Sequence, residues 1–416
     1  MRAITINAKG EKEVDPSNMK GLYEKWHEKI TSHSKIDYYS LRGIAPIHSE
    51  YVTKYVLDLA VGKNTAKGHR KGPRSYIHLV HVRYRLNSVF KILEKHTSKG
   101  RLNFTEDDIL NVFNAMRAGR IRNANDKPFL DVSTYAKVFC AFWRWYIRTN
   151  KDKVIPNIVD SLDTRADHKP KWHYFTLQDV EKMAITAPNY EYETLMYFIF
   201  DSGIRAPKEL MNVRVCDLTP VPKTNQMFLE IRDETSKTFG RKIKLMISSE
   251  KVKKYIKQKK LIGKDFLFTK SPICYNRTLA TIAFRTFGIG EPHYQYNKRG
   301  WRVKTLIKGG ITMYDFRHNS VCHYLPIYKS ENQMKYRYGW KKSDMIHYYS
   351  EFIGMKDTIS EDDMLVDVTK TQLEQELQKE RQKVEVVQEQ MEAQRKEFDE
   401  RMKKLEAMML QKFADG

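Results

Sequence analysis

Apolar residues recur at three- and four-residue spacing in four stretches between residues 47 and 150, which predicts four amphipathic helices. The stretches are SEYVTKYVLDLAVGK, SYIHLVHVRYRLNSVFKILEKH, TEDDILNVFNAMRA and DVSTYAKVFCAFWRWYIR. Thr105, Asp107 and Asp108 open the third with a side-chain oxygen for orphan amides and negative charge against the helix dipole. Asp131 and Ser133 can do the same for the fourth. Between the first two helices lies KNTAKGHRKGPRS, a glycine- and lysine-rich loop with no packing value. It is suited either to gripping phosphates or simply to being solvated.

Residues 151–172 lose this periodicity and carry Pro156 and Pro170, which predicts an interdomain linker. Thr176 and Asp179 then stand at capping-box spacing, and YETLMYFIFDSGI reads as a strongly apolar helix. MFLEIRDETSKTFGRKIKLMI predicts two strands around a turn containing Gly240. On its second arm Lys242, Lys244 and Met246 alternate with Ile243, Leu245 and Ile247. Three or four short helices are expected from there to about residue 355. Beyond 366, Leu377, Val384, Met391, Phe398 and Leu405 recur at an interval of seven, the seam of a long helix that self-associates. The first 46 residues are polar and mixed, with one short amphipathic helix in NMKGLYEKWHEKI.

The expected fold is mostly α with a small β-sheet. Its parts are an N-terminal extension (1–46), a helical domain (47–150), a linker (151–172), a mixed α+β domain (173–360) and a coiled-coil helix (366–412).

The chain has 416 residues, 41% of them hydrophobic, enough for two or three domains. Its formal net charge is +23, a surplus that draws in polyanions, nucleic acid above all. The tail from 366 has 10 basic and 12 acidic residues, net −2, which leaves +25 in front of it. The basic surplus therefore belongs to the two domains, and the tail is expected to face protein. Cys140, Cys216, Cys274 and Cys322 are widely spaced, which supports neither a zinc site nor a disulfide framework and suggests buried free thiols in a reducing cytosol. No apolar run is long enough to cross a membrane, and the most apolar stretch is broken by Arg144. No secretory leader is expected.

Four segments carry candidate chemistry: SGIRAPKEL with Arg205, ETSKTFGRKIKL with Lys237, YDFRHNSVCHYL with Arg317, and YGWKKSDMIHYY with Trp340 and Tyr349. Attack on a phosphodiester concentrates negative charge on the non-bridging oxygens, and the planar, permanently charged arginine fork suits them. A lysine can protonate the leaving oxygen, and a tyrosine hydroxyl can serve as a reversible nucleophile. Singly, each residue has an ordinary explanation as a surface arginine, a charged hairpin tip or a packed tyrosine. Order and spacing together carry the case.

In that order the segments resemble the four active-site boxes of the tyrosine recombinases. SGIRAPKEL is similar to the first box and SKTFGRKIKL to the β-hairpin box. YDFRHNSVCHYL resembles the His-x-x-Arg-His box, and YGWKKSDMIHYY the Gly-His/Trp box with its tyrosine nine residues on. The resemblance implies that Arg205 and Arg317 clamp phosphate, Lys237 is the general acid, Trp340 donates from its indole, and Tyr349 rather than Tyr348 is the nucleophile. Tyr314 stands where the family usually has histidine, which puts the base role in doubt, because a phenol is a poor acid or base near neutrality. His318 is expected to be structural. The family's first-box glutamate follows its arginine at the third position, whereas here Lys208 is third and Glu209 fourth. This divergence suggests an archaeal or archaeal-virus branch. Residues 47–150 resemble the family's helical core-binding domain.

The resemblance implies an enzyme that breaks and rejoins double-stranded DNA without metal or cofactor, assembled as a synaptic tetramer and located in the cytoplasm or on the nucleoid. A type IB topoisomerase shares the chemistry. A non-catalytic nucleoid or partition protein would share the fold.

Overall fold

The computed structural model describes residues 3–6, 10, 12–32, 35–64, 72–165, 172–296, 299, 302–328 and 330–353. The chain divides into two compact units, Met1–Ile346 and His347–Gly416. It is mostly helical with three small antiparallel sheets, the α+β class that the sequence pattern predicts.

In the first unit the chain opens with a hairpin, β1 (Ala3–Ile6) against β2 (Lys12–Asp15), and continues into α1 (Met19–Thr31). The next helices are α2 (Pro46–Val61), α3 (Tyr76–Thr97), α4 (Glu106–Arg117) and α5 (Val132–Thr149). Thr105 caps α4 in a capping box with Asp108, and Asp131 caps α5 by accepting from the Thr134 amide. These helices close one hydrophobic core. It is richest along α5, where Phe139, Phe142, Trp143, Trp145 and Tyr146 are all buried, and large aromatic areas removed from water dominate such cores. Each indole finds a partner, Trp145 at Asp58 Oδ2 (3.0 Å) and Trp143 at the Pro156 carbonyl (3.0 Å).

A second core gathers α6 (Leu177–Ile185), α7 (Tyr190–Ser202) and α8 (Lys208–Met211) with the sheet β3 (Leu218–Pro220), β4 (Met227–Ile231) and β5 (Arg241–Leu245). It takes in α9 (Ser249–Lys259), α10 (Pro272–Phe287) and α11 (Met313–Tyr324). The hairpin β6 (Glu291–Tyr296) and β7 (Arg302–Lys308) lies between α10 and α11 in the chain, and α12 (Glu331–Tyr338) and α13 (Asp344–Phe352) follow α11. Nearly every residue of α7 is buried, so it is the axis of this core. Met227 pairs with Leu245 and Ile231 with Arg241 across β4 and β5.

Four expectations change. A third strand, β3, joins the expected pair. The β6–β7 hairpin interrupts the run of helices. All six residues of β6 are exposed, so no apolar alternation marks it. The segment read as a linker is packed as far as Leu162, because Ile158, Val159 and Leu162 are buried against the helical core. Only two of the free thiols, Cys140 and Cys322, are buried, while Cys216 is exposed. The expected coiled coil and most of the glycine- and lysine-rich loop lie outside the described residues. Of the second unit, residues 347–353 at the end of α13 are described. Among the described residues no helix is long and apolar enough to cross a membrane.

Candidate active site

The last turn of a helix leaves carbonyls without an amide partner, and its dipole favours positive charge there. At the end of α12 three consecutive carbonyls each receive a different arginine. The carbonyl of Arg337 accepts from Arg241 Nε (2.9 Å), that of Tyr338 from Arg317 Nη2 (2.7 Å), and that of Gly339 from Arg205 Nη2 (2.7 Å). Three guanidinium groups from α11, β5 and the α7–α8 turn are thereby brought to one place. Gly339 makes this possible. Its φ is +63°, and a Cβ there would stand 3.0 Å from Arg205 Nη1, Arg241 Nη1 and Thr238 Oγ1. Any other residue would strain this left-handed backbone and press its Cβ against all three groups.

Glu209 binds the cluster from the opposite side. Its carboxylate takes two hydrogen bonds from Arg241, Nη1 to Oε1 (3.2 Å) and Nη2 to Oε2 (2.8 Å). It also accepts from Arg205 Nη1 (3.1 Å), the Arg205 amide (3.0 Å) and Ser236 Oγ (3.0 Å). Burial by itself would raise this carboxyl, but the hydrogen bonds and charge of Arg241, then of Arg205, outweigh it and hold the pKa at about 2. The fourth-position glutamate thus reaches the first-box arginine across the Pro207 turn and enters the buried cluster. Arg205, Arg241 and Arg317 against the single carboxylate of Glu209 give the cluster a net charge of +2.

Arg317 is buried, as Arg241 is. Its Nη1 donates to the Gly203 carbonyl, and its guanidinium lies 5.4 Å from the centre of the Tyr338 ring. Burial, then the charges of Arg205 and Arg241, push its pKa down to about 10. It remains a cation at any neutral pH. Arg205 retains a side-chain exposure of 20%. It uses three of its five N–H donors on Glu209, Thr238 and Gly339, so it forms the accessible edge of the cluster.

The Ser-Lys-Thr turn between β4 and β5 is tied to the same cluster. Ser236 reaches Glu209, and Thr238 Oγ1 donates to the Gly339 carbonyl (2.9 Å) while accepting from Arg205. Lys237, held between these two anchored residues, is exposed. Trp340 stacks on Tyr338 with ring centres 5.1 Å apart, and its amide bonds the Lys335 carbonyl. Tyr314 occupies the first turn of α11, one turn before Arg317, exposed and edge-on to His318 at 4.8 Å. His318 is buried and stacks on Trp172 at 4.7 Å. Burial lowers its pKa to about 4, with Arg317 adding to that and Asp315 opposing it. The imidazole is therefore neutral under ordinary conditions.

Tyr349 belongs to the second unit, where it is buried on α13 and meets Tyr348 edge-on at 5.1 Å. Of the sequence candidates, then, Arg205, Arg317 and the turn bearing Lys237 meet at the end of α12, and Trp340 joins them through Tyr338. Arg241 is not among the sequence candidates, and Glu209 enters there only as a displaced glutamate. A signal for Arg241 was present. Strict alternation along RKIKL puts residue 241 on the same face as Ile243 and Leu245, and an arginine on a buried face requires a carboxylate or carbonyl partner.

No family model matches this chain, and no curated protein sequence matches it either. Solved structures do. A lambda integrase dimer bound to a COC′ core site aligns over 86% of this chain and 95% of its own, at 14% identity and a TM-score of 0.51. The 75–356 form of lambda integrase on the same core site aligns over 75% and 98%, at 17% identity and 0.51. The XerH site-specific recombinase in a post-cleavage complex with palindromic difH substrate aligns over 67% and 77%, at 14% identity and 0.49. The fold is that of the tyrosine recombinases. The lambda integrase alignment spans both the helical and the mixed part of the chain.

Proposed function

We propose that this protein is a site-specific DNA recombinase that cuts and rejoins double-stranded DNA through a 3′-phosphotyrosyl intermediate. The observation that carries the reading is the arginine cluster at the end of α12. Its net charge of +2 is buried beside an accessible guanidinium edge, and uncompensated buried charge requires an anionic partner. A phosphodiester meets that need, and its charge grows in the transition state, where preorganised donors are most effective.

In this reading Arg205 and Arg317 hold the non-bridging oxygens. The Tyr349 hydroxyl oxygen attacks phosphorus and loses its proton to water, a new O–P bond forms, and the bond from phosphorus to the 5′-oxygen breaks. Lys237 gives a proton to that oxygen, and Trp340 supports the phosphate from its indole. Rejoining runs the same steps in reverse when a 5′-hydroxyl attacks the phosphotyrosine. Tyr314 acts as a hydrogen-bond donor to phosphate rather than as a base. Double-stranded DNA is the substrate, and the working assembly is a homotetramer on paired sites.

The direct test uses nicked duplexes drawn from the DNA flanking the protein's own gene, in which the cleaved fragment diffuses away and traps the adduct. The wild-type protein is expected to become covalently joined to a 3′ end. Tyr349→Phe should bind the same duplex and form no adduct. An adduct that survives in Tyr349→Phe and disappears in Tyr348→Phe moves the nucleophile by one residue. No adduct from the wild-type protein on any flank overturns the reading.

A further inference from the structure

The helix that presents Glu209 has four residues, Lys208–Met211. So short a helix gains almost nothing from its own hydrogen bonds and depends on outside ties to keep its shape. Three of those ties come from the other end of the sequence. Asn212, which ends α8 and is buried, pairs its side-chain amide with the backbone of Val14 on β2. Its Oδ1 accepts from the Val14 amide (2.7 Å), and its Nδ2 donates to the Val14 carbonyl (3.0 Å). The same Nδ2 donates to the Lys208 carbonyl (2.9 Å), which closes the end of α8. Val14 is itself fully buried in the core that holds α7 and α11. Just before it in β2, Arg214 Nη2 donates to the Lys12 carbonyl (2.5 Å), and Lys208 pairs with Glu13 (3.4 Å).

The hairpin is not an appendage of that core alone. Only residues 16–18 separate β2 from α1. Tyr23, Trp26 and Ile30 of α1 are buried in the helical core, where Arg83 of α3 lies 4.7 Å from the Trp26 ring. Residues 12–31 therefore touch both cores, and their contact with the second falls on the element that carries Glu209.

We infer that the N-terminal hairpin is a working part of the cleavage site. Through Asn212 it positions α8 and hence Glu209, which orients Arg205 and Arg241, and through α1 it links that geometry to the helical core. Asn212 and Val14 are positioning residues that touch no reacting atom. The inference rests on the recombinase reading for its kinetic consequence and on the hydrogen bonds alone for its structural one.

The test uses the full-length chain with two substitutions from opposite sides of the contact. Asn212→Ala removes both bonds to Val14. Val14→Pro removes the donated amide and leaves the α8 sequence intact. Two quantities are measured, single-turnover adduct formation on the nicked duplex and hydrogen exchange of the amides at 205 and 209–213. Both variants are expected to bind DNA as the wild type does and to cleave about a hundredfold more slowly, the usual effect of displacing a catalytic group by about an ångström. Exchange should rise at 205 and 209–213 and remain unchanged along α7 and α11. Asn212→Asp keeps the bond from the Val14 amide and should recover part of the rate. Wild-type rates with unchanged exchange in both variants overturn the inference. So does a loss of DNA binding and a rise in exchange spread over the whole chain, because that outcome describes a general fold defect. If the wild-type protein forms no adduct while exchange still rises locally, the brace is upheld and the recombinase reading alone fails.

Discussion

Asp201 and Arg337 form a buried pair that anchors the end of α12. Arg337 Nη2 donates to Asp201 Oδ1 (3.4 Å) and to the Asp201 carbonyl, and its guanidinium stacks 4.0 Å from the Tyr324 ring centre. Asp201 Oδ1 also accepts from the Met246 amide and the Tyr324 hydroxyl. Its Oδ2 accepts from the Ile247 amide, the Ser248 amide and Ser248 Oγ. One carboxylate thus joins α7, α11, the β5–α9 turn and α12. The carbonyls of 337, 338 and 339, which receive the three arginines, follow directly from that anchor.

Asp201→Asn is therefore expected to harm both stability and cleavage. An amide cannot accept three hydrogen bonds at its nitrogen, and it leaves Arg337 buried without a counter-charge. Breaking such a pair costs about 3–5 kcal/mol. Urea unfolding should show a fall of that order, and adduct formation should drop in the fraction that remains folded. Unfolding at the wild-type midpoint would mean that the network repairs itself around the change.

Arg241→Lys tests the site more narrowly. An ammonium cannot make the two-pronged contact with Glu209 or the third bond to the Arg337 carbonyl at once. Glu209 is expected to shift, carrying Arg205 with it, and adduct formation to slow by about a hundredfold at unchanged DNA affinity. Arg241→Met, which leaves Glu209 with less counter-charge, should also lower stability by about 3–5 kcal/mol. Rates near wild type for Arg241→Lys would show that Glu209 and Arg205 hold their places without it.

Much of this could be read in the sequence because it rests on local rules. Capping residues Thr105 and Thr176 fix helix starts, and period-2 alternation fixes β5. Arg205 and Arg317 stood out through their neighbours in sequence. What escaped depends on contacts between segments far apart in the chain. The bond between Asn212 and Val14 spans 198 residues, and nothing in MRAITINAKGEKEVD marks a strand destined for the core of another region. Glu209 was visible only as a displaced glutamate, since its role is set by Arg241 on another element. The β6–β7 hairpin buries too little to leave a periodic signature.

His318 should appear in the pH dependence of stability. Its folded pKa, lowered mainly by burial to about 4, lies below the 6.5 of an unfolded histidine. As pH falls through that window the unfolded chain takes up a proton that the folded chain refuses, so stability is lost from about pH 6.5 down to about pH 4, at up to about 1.4 kcal/mol per pH unit. Glu209, with a folded pKa depressed to about 2 from 4.5, contributes its loss mainly below about pH 4.5, so measurements above that pH separate the two. His318→Phe keeps a ring against Trp172 and should flatten the decline measured by urea unfolding between pH 7 and 4.5. An equal slope in the variant would assign the titration to other groups.

The role of Lys237 can be separated from that of the arginines by changing the leaving group. If its ammonium protonates the 5′-oxygen, Lys237→Ala should cleave an ordinary duplex slowly, by roughly the hundred- to ten-thousandfold that a positioned general acid contributes. A duplex with sulfur in place of the bridging 5′-oxygen has a leaving group that departs as a thiolate and needs no proton. Lys237→Ala is expected to cleave that substrate at close to the wild-type rate. Arg205→Ala should remain slow on both substrates, because charge on the non-bridging oxygens is unaffected by the sulfur. Single-turnover rates for the two variants on the two duplexes decide the matter. If sulfur fails to restore Lys237→Ala, the lysine acts on the phosphate through its charge, and the exposed turn between Ser236 and Thr238 presents a fourth cation rather than an acid.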